Sequence, residues 1–213
     1  MTDQKGILFV LSGFSGAGKG TIMQSFFEQY EGFVLSISAT SREPRENEEH
    51  GVHYFFVTRE EFEDRIRTGN LIEYTEYQGN YYGTPRDFVV NNLEKGLDVF
   101  LEIEVEGAEN IRRQYPDAVT IFVTTPTPQE LQRRLRGRGT NTEEQIRGRL
   151  KRAVEEAGLV DNYDYLLIND DLDECVRTLY AITQSEHRKQ NRTPDFDEWF
   201  KGELTKMLEQ EES

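Results

Sequence analysis

Ser12-Gly-Phe-Ser-Gly-Ala-Gly-Lys-Gly-Thr21 decides the reading of this chain. Gly13 and Gly18 stand five apart with Lys19 next, the G-x-x-x-x-G-K pattern of a phosphate-binding loop. Glycines let the backbone turn tightly and aim several N–H groups inward. A helix starting there adds its positive end, and a lysine adds a mobile point charge for the terminal phosphates. The flanks suit the motif. Ile7 to Leu11 is a short apolar run, as expected for a strand buried on both faces of a parallel sheet. Thr21 to about Tyr30 carries Ile22, Met23, Phe26 and Phe27 at helical spacing. The residues predicted to cradle phosphates are therefore Gly13, Phe14, Ser15, Gly16, Ala17, Gly18, Lys19, Gly20 and Thr21.

The usual Ser or Thr after the lysine is replaced by Gly20. Magnesium would then be held through waters, by Thr21, or by substrate phosphates with a carboxylate. Glu102 and Glu104, on an apolar segment expected to be a strand from Val99 to Val105, are the candidate carboxylates.

Elsewhere strands alternate with helices, which indicates an α/β domain around a parallel sheet. Strands are expected at Phe33–Ser38, Val119–Val123 and Tyr165–Ile168, and helices at about Arg86–Glu94, Gly107–Tyr115, Gln129–Leu135, Thr142–Ala157 and Leu172–Asn191. Between Ser38 and Pro85 the pattern changes. His53–Val57 is strand-like. Thr58 with Glu61 forms a capping box before a helix reaching Thr68. Gln78-Gly79-Asn80 lies between two tyrosine-rich strands, a hairpin signal. The expected division is a core of 1–37, 86–125 and 158–192, an insert of 38–85, a lid of 126–157, and an acidic, helical tail of 193–213.

Charge is uneven. The 213 residues hold 25 Lys and Arg against 40 Asp and Glu, a net −15, which argues against a general nucleic-acid binder. Yet Leu131–Arg152 holds eight basic residues against two acids. Arginines in a mobile segment can clamp the charge that spreads over a transferring phosphoryl group. Arg134, Arg138 and Arg149 are the candidates; Arg133, Arg147 and Arg152 read as a solvated helix face. In the insert, Arg42 and Arg45 flank Glu43-Pro44 and suit a second phosphate, with Tyr54 and Tyr82 as hydroxyl donors. Glu73 is a carboxylate able to accept from guanine N1–H and the exocyclic amine, a donor pair that adenine lacks on that edge. Cys175 is the single cysteine, so an internal disulfide and a Cys-built zinc site are excluded. It reads as a small buried hydrophobe. No apolar run nears the ~20 residues of a membrane span, and no secretory signal is evident. A cytoplasmic protein is expected, with no nucleic acid, membrane or obligate protein partner, as monomer or homodimer.

Several stretches together resemble the guanylate kinase family: Ser12–Thr21, Ser38-Ala-Thr-Ser-Arg-Glu-Pro-Arg45, Gly51-Val-His-Tyr-Phe-Phe56, Gly79-Asn-Tyr-Tyr-Gly-Thr84, Leu135-Arg-Gly-Arg-Gly139 and Tyr163–Asp171. The resemblance implies the nucleoside monophosphate kinase fold: a parallel-sheet core with helices on both faces, a small mixed α/β insert for GMP, and a helical lid. It implies Mg²⁺-dependent, direct in-line transfer from ATP to GMP, and to dGMP. It implies Lys19, Arg42, Arg138 and Arg149 in catalysis, and Arg134, Arg138 and Asn169 at ATP. It implies Ser38, Arg42, Arg45, Tyr54, Glu73, Tyr82, Thr84, Glu104 and Arg149 at GMP. Thr21 and, through water, Glu102 are the metal candidates. Many members carry Asp where Glu102 and Glu104 stand and Gln where Glu106 stands. The rival expectations are a kinase for another nucleoside monophosphate, and a catalytically dead module that binds proteins.

Overall fold

The computed structural model describes residues 5–77, 79–137, 142–192 and 196–211. The chain builds two sheets. Five parallel strands form the larger, in the order β2-β7-β1-β8-β9, from β1 (Leu8–Gly13), β2 (Phe33–Leu35), β7 (Asp98–Glu102), β8 (Val119–Thr124) and β9 (Tyr165–Ile168). Its central strand is the apolar run before the glycine loop. The period of two splits that run between two cores. Phe9 and Leu11 face α1 (Lys19–Gln29) and α7 (Leu172–Glu186), packing with Ile22, Phe26, Val176 and Leu179. Leu8 and Val10 face the other side, packing with Val89 of α3 (Arg86–Glu94) and Ala108 and Ile111 of α4 (Val105–Gln114). Helices therefore cover both faces, which is why β1 is apolar throughout.

The smaller sheet is mixed, in the order β4-β3-β6-β5. It comprises β3 (Ala39–Thr40), β4 (Phe55–Phe56), β5 (Leu71–Tyr77) and β6 (Asn80–Pro85). β3 pairs parallel with β4 and antiparallel with β6, and β5 pairs antiparallel with β6. Helix α2 (Arg59–Arg67) packs Phe62 on Ala39 and Leu71. Its start is the expected box: the Thr58 side chain accepts from Glu61 N–H, and the Glu61 carboxylate accepts from Thr58 N–H. A helical pair, α5 (Pro128–Gly137) and α6 (Glu143–Ala157), closes around Leu131, Leu135 and Ile146 against Phe14 of the loop.

Several boundaries differ from expectation. The expected strand Phe33–Ser38 is shorter: β2 ends at Leu35, and residues 36–38 lead to β3, which belongs to the mixed sheet. Of His53–Val57, only Phe55–Phe56 forms a strand, and Tyr54 makes an isolated bridge to His50. β7 ends at Glu102, where its register with β1 ends opposite Leu11. α4 then begins at Val105 with Glu104 as N-cap, two residues before Gly107. Apolar Ile103 and Val105 read as more strand, but they are the turn and the helix start. α7 stops at Glu186, short of Asn191, and Gln190–Arg192 is a 3₁₀ turn. Within the acidic tail, Phe196–Glu211 forms α8.

Candidate active site

The loop from Gly13 to Gly18 turns because glycine permits it. Gly13 has φ +134° and Gly18 φ +96°, backbone that L side chains rarely adopt. A Cβ on Gly13 would lie 2.1 Å from the Val123 carbonyl oxygen, and one on Gly18 2.5 Å from Asn169 Nδ2. Gly18 is the N-cap of α1 and offers no side-chain cap. The first-turn N–H groups are thus left to an anion. Lys19 Nζ donates to Gly13 O at 2.8 Å. The loop is braced from behind: Asn169 Nδ2 donates to Ala17 O at 2.8 Å, and Arg134 donates to Ala17 O at 3.3 Å and to Asn169 O at 2.9 Å. Arg134 also pairs with Glu130 at 2.6 Å. Arg133 and Arg134 together hold the Glu130 carboxyl down at about 2.

In front of the loop lies a cleft of about 970 Å³, walled by both sheets and by α6. It gathers Ser15 and Lys19 from the loop, Ser38, Arg45, Tyr54, Glu73 and Tyr82 from the mixed sheet and its connections, Glu102 and Glu104 from the end of β7, and Arg149 from α6. Residues more than 130 positions apart meet here: Arg149 hydrogen-bonds the Ser15 hydroxyl.

Glu73 is 6% exposed. Thr84 Oγ1 donates to its Oε1 at 2.6 Å. Burial pushes its carboxyl above the ordinary glutamate value, and hydrogen bonds from Thr84 only partly offset this. Its second oxygen lies over Gly107, where a Cβ would come within 3.2 Å. Glu102 is open to the cleft, yet the surrounding walls desolvate it and raise its carboxyl. Lys19 counters that effect and Glu104 adds to it. Burial likewise raises the Tyr54 hydroxyl.

Not every expected residue reaches the cleft. Arg42 is engaged elsewhere: its Nη2 makes two 2.9 Å bonds to the Glu48 carboxylate, and its guanidinium lies 5.7 Å from the Tyr54 ring centre. The Arg45 N–H and the Arg42 guanidinium hold Glu48 below the usual carboxylate range. Thr84 stands behind Glu73. Arg134 and Asn169 gather at Ala17 and Gly18. Thr21 is exposed on α1 and does not line the cleft. Arg138 lies outside the described residues.

Other residues enter unannounced. Arg152, expected on a solvated face, reaches Glu156 at 3.0 Å and Glu104 at 3.8 Å. Gln145, Gly148, Arg149, Arg152 and Glu156 all line the cleft. Their spacing of three and four marks one face of α6, and that signal was readable from Arg149 alone. Glu106 and, within the Gly51–Phe56 stretch, His53 also line the cleft, as do Ser36, Thr75 and Glu76, which no sequence pattern marks.

The Glu102 carboxylate fits a magnesium-nucleotide site. It is a hard oxygen donor beside Lys19, and Gly20 leaves room, since a Cβ there would still be 3.8 Å from both carboxylate oxygens. Magnesium keeps most of its waters and needs only one or two carboxylates.

The family model for guanylate kinase matches residues 5–186. A guanylate kinase of Oceanobacillus iheyensis is 47% identical over 192 residues, covering 90% of this chain and 93% of that one. One of Streptococcus pneumoniae is 50% identical over 184 residues, covering 86% and 88%. The crystal structure of guanylate kinase from Anaplasma phagocytophilum superposes with a TM-score of 0.76 at 30% identity, over 94% of this chain and 96% of that one. With the glycine loop, the mixed-sheet insert and the arginine-bearing helices all falling inside the matched range, the chain belongs to the guanylate kinase family.

Proposed function

We propose that this protein transfers the terminal phosphoryl group of ATP to the phosphate of GMP, and of dGMP, giving ADP and the guanosine diphosphate. The observation that carries the reading is one cleft holding both Lys19 of the phosphate loop and the buried Glu73 carboxylate. In this reading the core of 1–37, 86–125 and 158–192 binds ATP, the insert of 38–85 binds GMP, and 126–157 closes over both. The loop N–H groups and Lys19 hold the ATP phosphates, and Arg134 and Asn169 stabilise the loop from the adenine side.

Arg45, Ser38, Tyr54 and Tyr82 hold the GMP phosphate. Arg42 joins them by exchanging Glu48 for the incoming phosphate. Glu73 accepts from guanine N1–H and its amine while Thr84 fixes the carboxylate, and Glu104 borders the base. A phosphate monoester is itself a sufficient nucleophile, so positioning and charge carry the catalysis. Arg149 bridges from α6 to the loop and neutralises the transferring group, and Arg138 is its partner in the lid. Magnesium held in the cleft would withdraw charge from the phosphates. Glu102 would hold it through water, and Thr21 is the weaker candidate. No described helix is long and apolar enough to cross a membrane. The reaction needs neither nucleic acid nor an obligate protein partner and belongs in the cytoplasm.

The test is ADP release with ATP and Mg²⁺ against GMP, dGMP, AMP, CMP and UMP. Turnover confined to the guanine nucleotides is expected. Turnover with another base would refute the role of Glu73, and none with any acceptor would refute the kinase reading.

A further inference from the structure

The fold described so far makes no use of α8. Every described side chain from Phe196 to Gln210 is exposed. Phe196, Trp199, Phe200, Leu204, Met207 and Leu208 are between 47% and 63% exposed. Steps of three and four place all six on one stripe of the helix, about 18 Å long. The three rings lie against one another, centroids 5.5 to 6.0 Å apart, with Phe196 stacked on Phe200 and Trp199 tilted to both. A solitary helix of this length is marginal in water, and Gly202 at its middle weakens it further. The stripe therefore needs a cover. It lies beyond residue 186, where the family-model match ends.

Its own core offers too little. A cavity of about 310 Å³, lined by Ile7, Leu8, Leu93, Tyr115, Pro116 and Arg192, opens near the root of the tail. It is large enough for one aromatic ring and far too short for the stripe. Outside α8, the exposed large apolar side chains are spread over separate elements; the nearest to a patch is Leu166 with Ile168 on β9. Among the described residues, the surface matching the stripe in length and apolarity is the stripe itself.

We propose that α8 packs against α8 of a second copy, making the protein a two-fold dimer through a self-complementary helix face. Six such side chains cover roughly 600 Å² per copy, or roughly 1,200 Å² in total, the lower edge of a specific interface. The pairing works against charge, because each chain carries a net −15. Salt should therefore tighten it.

Trp199 is the sole tryptophan, so intrinsic emission reads α8 alone. Full-length protein should sediment at the mass of two chains with blue-shifted emission. Dilution should lower the mass and redden the emission together, and added salt should move both midpoints to lower protein concentration. Leu204→Glu with Met207→Glu should give one-chain mass and red emission over the whole range, with turnover per chain unchanged. One-chain mass for the unaltered protein overturns the proposal. A buried Trp199 in that monomer would mean that its own core covers the stripe. A two-chain mass that survives the double substitution also overturns it, since the contact would then lie elsewhere.

Discussion

Replacing Glu73 by Gln tests the acceptor site most sharply, because shape is kept while one property changes. The carboxylate is 6% exposed and receives the Thr84 hydroxyl at 2.6 Å on one oxygen. That bond survives in the amide. The other position now presents an NH₂ where guanine also presents a donor. A hydrogen bond to a charged group is worth about 1.5–3 kcal/mol, so kcat/KM for GMP should fall about 10- to 100-fold. Inosine monophosphate, which lacks the exocyclic amine, supplies the control. The unaltered protein should prefer GMP over it by a similar factor, and Glu73→Gln should bring that ratio close to one. KM for ATP should not move. Stability should move the other way from activity: burial disfavours the ionised carboxylate in the folded state, so the neutral amide should leave the melting temperature at neutral pH unchanged or raised. An unaltered GMP-to-IMP ratio would refute the reasoning, as would a joint loss of stability and ATP affinity.

The same group predicts a pH dependence. Its folded pKa is raised, so the neutral form stabilises the free protein at low pH and that contribution is lost as pH rises. GMP needs the ionised form. KM for GMP should therefore rise from neutral pH down to about pH 5, and more steeply than in Glu73→Gln, a comparison that cancels the titration of the substrate phosphate. Lys19→Met should lower kcat at least about 10²- to 10³-fold with an unchanged circular dichroism spectrum, because a charge at the phosphates is lost while only the bonds to the Gly13 and Phe14 carbonyl oxygens go with it. Gly18→Ala combines strained φ with displacement of Asn169 from Ala17. At about 2–3 kcal/mol it should lower the melting temperature by roughly 5–10 °C, read by thermal unfolding; a shift within 1 °C would sink that account.

Much of this architecture is written locally. The glycine loop, the Thr58 capping box and the apolar runs of β1 and β8 each follow from backbone sterics or periodicity within a dozen residues. Errors fell where a local pattern served two states. Ile103 and Val105 look like the continuation of a strand, and only the end of the β1 pairing converts them into a turn and a helix start. Phe33–Ser38 looks continuous, yet only Phe33–Leu35 is strand and the rest carries the chain over to the mixed sheet. Among the charged residues, type alone could not separate Arg149, which reaches Ser15, from Arg152, read as a solvated face yet lining the cleft beside Glu104.

The sequence by itself determined the phosphate loop, the α/β order and the residue types of the proposed guanine reader, because these depend on short-range backbone freedom, apolar period and donor chemistry. Tertiary structure decided which charges act together. It buried Glu73 beside Thr84, held Arg42 on Glu48, turned Arg152 toward Glu104 and Glu156, and left the α8 stripe facing outward. Each of these depends on which distant segments pack side by side, and packing fixes the desolvation and the partner that set what a charged or apolar group does.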